Sequence, residues 1–299
     1  MAQKIELQKI RDFGDIITDT FIFIRQNLKP LITCFFIFCG FFLIGSIIFS
    51  TIQEAKAVNL FNGFNAEQPD FDLFRNSIFS LFGVEYLLNV IFLVFNYTAI
   101  NVTVFSFLCL YKEKGNVPPT PEEVWGYFKF FYFKILGSGI LLAILLIVGA
   151  LLCIIPGIYL YPVLSLVFPI MIFENTSFGY AFNRSFRLIK DNWWITFGTI
   201  IIIGLIIYFA DVAVLLPLTL INLSSFFVHP KGGLHLSSTV TTITTILQHL
   251  CLVFYIVPLV TISLIYYSLA EKLDATGLIG RIDKLGANGP DNSLSKEEY

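Results

Sequence analysis

Residues 135–173 read ILGSGILLAILLIVGALLCIIPGIYLYPVLSLVFPIMIF and carry no charged side chain. A helix crosses about 30 Å of hydrocarbon in roughly 20 residues. The run is therefore too long for one crossing and barely long enough for two. Pro156 and Gly157 stand near its middle, and proline at the second and glycine at the third position of a tight turn suit a reversal of direction. This predicts a short hairpin, 135–155 and 158–173, with one long kinked helix as the competing reading. The choice decides which side of a membrane every later segment faces.

Lysine and arginine separate the two readings, because cytoplasmic segments retain positive charge. With six spans and both termini inside, the cytoplasmic segments 1–30, 112–134, 174–192 and 271–299 carry five, four, three and four basic residues, leaving only Lys56, Arg75 and Lys231 outside. With five spans the basic residues split ten to nine. The six-span reading gives an all-α polytopic membrane protein with spans near 31–50, 82–110, 135–155, 158–173, 194–220 and 241–268. Trp125, Trp193, Trp194, Tyr266 and Tyr267 then fall at the inner rim and Tyr159 and Tyr161 near the outer one, as an aromatic belt requires.

Composition agrees with a lipid environment. At 56% hydrophobic and 13% charged residues, with mean hydropathy +0.79, the chain has too few charges to clothe a soluble globule of its length. The net charge of −2 is no footprint for nucleic acid. Cys34, Cys39, Cys109, Cys153 and Cys251 form no CxxC pair and read as small core hydrophobes. Of the histidines, only His249 lies close in sequence to a cysteine, so neither a metal site nor a cofactor is expected.

An internal echo runs from Asp12 to Leu28 and again from Ser177 to Trp193. Phe, Gly, Phe, Ile and Asn recur in register at 13/178, 14/179, 21/186, 24/189 and 27/192. Each copy places apolar residues at helical spacing with charges between them, including Arg184, Arg187 and Lys190 on the basic face of the second. A third amphipathic stretch opens with Thr120, Pro121 and Glu123 as a capping box with proline at the first helical position. The expectation is a single membrane domain, 1–285, of three units (1–111, 112–173 and 174–285), each a cytoplasmic surface helix preceding spans 1, 3 and 5. The Gly-, Asn- and Ser-rich stretch 286–299 reads as a disordered cytoplasmic tail.

Residues 154–194 run as an Ile-Pro-Gly-Ile turn, a proline-broken span, an acidic residue, the helix around Arg184-Ser-Phe-Arg-Leu188 and Lys190-Asp-Asn-Trp-Trp194. That order resembles the six-helix bacterial membrane family named after the membrane domain attached to some glycerophosphodiester phosphodiesterases. The resemblance implies the six-helix fold and a place in the bacterial inner membrane. The chain contains no His-Arg pair, the opening motif of the phosphodiesterase barrel, so the expectation is the membrane domain alone.

Ionisable groups at membrane depth are functional candidates. Counted at 1.5 Å per residue from the inner edge of each span, Asn96 lies at about 21 Å, Asp211 at about 25 Å and His249 at about 28 Å. They are expected to converge on a polar site in the outer half of the bilayer. No nucleophile and base, paired carboxylates or ligand cluster stands out. The expected function is therefore non-enzymatic: organising membrane lipids or an envelope protein complex. A small carrier or lipid transporter using the Asp211/His249 region is the alternative.

Overall fold

The computed structural model describes residues 4–64, 81–152, 154–228 and 237–274. Its elements are α1 (Phe13–Phe64), α2 (Val84–Glu113), α3 (Pro121–Leu152), α4 (Ile154–Ser165), α5 (Val167–Phe173), α6 (Phe178–Ile189), α7 (Trp193–Val228), α8 (Ser238–Leu250), a 3₁₀ turn (Cys251–Tyr255) and α9 (Ile256–Asp274). No strand occurs among the described residues. Helices satisfy their own backbone, which is what an apolar solvent demands. Five stretches are long and apolar enough to cross a membrane: Phe13–Leu60, Val84–Glu113, Pro121–Gly149, Trp193–Ser224 and Ser238–Asp274. The chain is a multi-pass, all-helical membrane protein.

The two echoed segments begin alike, α1 at Phe13 and α6 at Phe178. Both bury the same stripe 165 positions apart: Ile16 and Ala181, Thr20 and Ser185, Phe23 and Leu188. Both break near the echoed asparagine, α6 ending at Ile189, three residues before Asn192. Asn27 leaves helical geometry (φ −117°, ψ 16°) and kinks α1, three residues before Pro30, which cannot donate to the carbonyl of residue 26. Asn27 Nδ2 donates to the Phe23 carbonyl at 3.0 Å, and its side chain also meets the Tyr111 hydroxyl. Asn192 lies in the joint between α6 and α7 and accepts Lys272 Nζ at 2.8 Å. The third stretch differs, because α3 runs unbroken from Pro121 to Leu152. Its capping box is formed, with Thr120 N donating to Glu123 Oε2 at 2.7 Å and Glu123 N to Thr120 Oγ1 at 3.4 Å.

The hairpin at 135–173 is where expectation and structure part. The chain does reverse: a β-carbon built on Gly149 would lie 3.8 Å from Leu160 Cδ1, and one on Gly139 would lie 3.6 Å from Phe168 Cζ. Pro156 and Gly157 are not the turn, however. They sit inside the first turn of α4, where a helix has no use for the missing proline N–H. Tyr159 and Trp193 do not mark opposite rims either. Trp193 Nε1 donates to the Tyr159 carbonyl at 3.1 Å, and the two rings stack with centroids 5.7 Å apart. The returning arm comes back to the end of the bundle that holds the start of α7.

Two helices outrun their expected limits. α1 continues past Ser50 to Phe64, and α7 past Leu220 to Val228. The passage through α8 and α9 is interrupted instead: Pro258 offers no N–H to the carbonyl of residue 254, and the chain tightens into the 3₁₀ turn just before it. The expected tail at 286–299 lies outside the described residues.

Glu123 also holds Lys114 Nζ at 2.9 Å through both carboxylate oxygens. That cation and the Thr120 N–H keep the carboxyl below the ordinary glutamate range. Its stabilising contribution is therefore complete at neutral pH and is lost as the pH falls through the lowered value. Thr120→Ala should cost about 1 kcal/mol, the usual worth of an N-cap. Glu123→Gln should flatten the acid side of the stability profile, read as unfolding midpoints in detergent across a pH series.

Candidate functional site

His249 lies in a cleft of about 260 Å³ between α1, α2 and α8, whose walls include Ser50, Gln53, Asn89, Tyr97 and Thr245. A chain of hydrogen bonds runs through it. His249 Nδ1 meets the Thr245 carbonyl at 2.8 Å and Nε2 meets Ser50 Oγ at 3.1 Å. Ser50 Oγ pairs with Asn89 Oδ1 at 2.9 Å, and Asn89 Nδ2 with Gln53 Oε1 at 3.0 Å. The local reasons are simple: Ser50 and Gln53 share one face of α1 at i, i+3, Thr245 and His249 one face of α8 at i, i+4, and the 3₁₀ turn follows directly.

The donors and acceptors of this chain are coupled. The Thr245 carbonyl can only accept, so Nδ1 carries a hydrogen. Ser50 has a single hydroxyl hydrogen to share between Nε2 and Asn89 Oδ1.

The expected convergence of Asp211, His249 and Asn96 does not form. Asp211 has a buried Oδ1 with no hydrogen-bond partner, and its charge acts on Tyr97 and Cys251. It borders the cleft through Tyr97 without bonding to His249. Asn96 is fully buried on α2, and neither its Oδ1 nor its Nδ2 has a partner. Asn101, expected to glue two helices, bonds back to the Tyr97 carbonyl of its own helix at 2.8 Å.

At the opposite end the basic face of α6 divides. Arg187 and Lys190 are exposed. Arg184 turns inward, its side chain 11% exposed, and pairs with Glu174 at 3.3 Å and with Asp274. Burial works against its charge, but the two carboxylates outweigh burial and leave the guanidinium more firmly protonated than usual. Glu174 also accepts the Tyr266 hydroxyl at 2.9 Å. Arg11 is wrapped likewise: it pairs with Asp19 at 2.8 Å and donates to the carbonyls of Glu6, Leu7 and Lys9.

Sequence reasoning missed Ser50, Gln53 and Asn89, because isolated small polar residues at span ends are ordinary. Asn89 and Asn96, one heptad apart on α2, were the available signal. Among the described residues, no group of three or more His, Cys, Asp or Glu side chains is placed to hold a metal ion. No family model, no curated protein and no solved structure matches the chain.

Asn96→Leu should raise the unfolding midpoint in detergent by the equivalent of about 1–3 kcal/mol, since it removes two unpaired buried polar atoms. A fall would mean that the amide has a partner. Ser50→Ala, which cuts His249 from Asn89, should cost about 1 kcal/mol in the same measurement.

Proposed function

We propose that this protein is an integral component of the bacterial cytoplasmic membrane, with both termini cytoplasmic, that organises lipid or an envelope complex without chemistry of its own. The observation that carries this reading is the rigid attachment of the surface helices. Arg11 and Arg184 are each enclosed by acceptors, and Asn192 is tied to Lys272, so α6 and the first part of α1 are fixed to the bundle. A fixed end with Tyr180, Arg187, Lys190 and Trp194 exposed suits contact with headgroups and with a protein partner. Membership in the membrane family that residues 154–194 resemble belongs to the same reading, as does the cytoplasmic placing of these helices.

A carrier is the second reading, and the His249 cleft is the observation that favours it. The separation of Asp211 from that hydrogen-bonded chain weighs against a relay between the two. Purification in native lipid with mass spectrometry of what accompanies the protein discriminates the readings. Enriched phospholipid or a partner protein, lost on Arg184→Ala, is expected. A stoichiometric small solute, lost on Ser50→Ala and kept on Arg184→Ala, would establish the carrier instead.

A further inference from the structure

We propose that the cleft around His249 is a binding site for a small primary ammonium group. The sign of its walls carries the assignment. No lysine or arginine is among its described walls, which do include the carboxylate of Glu54. Lys56, two residues further along α1, is already paired with Glu85 of α2 at 3.0 Å. Asp211 adds a negative charge close enough to act on Tyr97. The other titratable walls are Tyr97 and His249, and the imidazole is tied to Thr245 and Ser50. Such a lining repels phosphates and carboxylates and attracts a cation.

Hydrogen bonding narrows the cation. An ammonium group donates three hydrogens and accepts none, so it needs several acceptors around one point. Glu54, Gln53 and Gln248 offer carboxylate and carboxamide oxygens, and among the described residues neither Glu54 nor Gln248 has a hydrogen-bond or ion-pair partner. The wall behind them is fixed in advance: Gln53, Asn89 and Ser50 are bonded in series and anchored on His249, itself only 8% exposed. The Lys56–Glu85 pair clamps the same two helices about one turn further along. A wall already ordered costs little to engage. Tyr97 is set against Tyr255, with ring centroids 5.5 Å apart at 81°, and stays 42% exposed, so aromatic surface remains for a cation to approach. At about 260 Å³ the cleft falls below the usual range for ligand pockets of about 300–1,000 Å³. Its occupant is therefore an ammonium with few carbons. A free alkanolamine and the headgroup of an ethanolamine phospholipid both present that chemistry.

The inference rests on the cleft that favours the carrier reading, but it requires binding alone, without transport. Its test titrates ethanolammonium chloride into the protein in phosphatidylglycerol nanodiscs by isothermal calorimetry. Sodium chloride and ethylene glycol, a neutral analogue of the same size, are the controls. Saturable binding in the millimolar range is expected for ethanolammonium alone, about fivefold weaker in Glu54→Gln and weaker also in Gln248→Ala. Both positions are exposed, so the unfolding midpoint should stay in place. Equal binding of ethylene glycol, unchanged affinity in both variants, or no saturable heat from ethanolammonium would overturn the assignment. Phosphatidylethanolamine nanodiscs separate the two sources: weaker apparent binding there identifies the lipid headgroup as occupant, and equal binding a free amine. Failure of ethanolammonium to enter proteoliposomes would defeat the carrier reading and leave the binding site standing.

Discussion

The last turns of α9 are the post to which one end of this protein is tied. Arg11 N–H donates to Ser268 Oγ at 2.9 Å, and Thr20 Oγ1 meets Thr261 Oγ1 at 3.2 Å. Tyr266 and Asp274 hold Glu174 and Arg184, and Lys272 holds Asn192. Lys112 Nζ lies 5.3 Å from the centre of the Tyr267 ring, against which Phe173 stacks. Elements from every part of the chain thus converge on one helix. Polar bonds gain strength where water thins out and become costly to leave unmade. The ties concentrate at this end of the bundle, while its middle is held largely by close packing of Phe, Ile and Leu.

The two echoed segments share part of this arrangement. They bury matching positions and break at or just before matching asparagines. Their partners differ: Asn27 bonds within its own helix and with Tyr111, whereas Asn192 reaches Lys272. The recurring feature is therefore a joint, a polar residue at or near the break between one helical segment and the next. The third unit achieves its turn without a break in α3, so its likeness to the other two is confined to the amphipathic pattern and the capping box.

Helical class, spans apolar enough for a membrane, the helix starts at Phe13 and Phe178 and the capping box at Thr120 were legible in the sequence, because each depends on local spacing and composition. The path of α3 to α5 was not. A charge-free run reports its length but not its direction, and Pro156-Gly157 suits the first turn of a helix as well as a reversal. The polar site was half legible. His249 was picked by its depth, but its partners Ser50 and Asn89 come from α1 and α2, and no spacing within α8 could name them. Arg184 misled for the opposite reason: at its helical position it reads as part of a solvent face, and only Glu174 and Asp274 reveal that it faces inward.

One bond at this end bears on the order of assembly. The Arg11 amide is completed by a serine 257 residues further along the chain. During synthesis the amino-terminal helix emerges and enters the membrane long before α9 exists, so its polar edge must stay solvated at the surface or lean on a temporary companion. Closure of this end of the bundle thereby waits for α9, and a nascent protein lacking α9 carries an unlatched first helix.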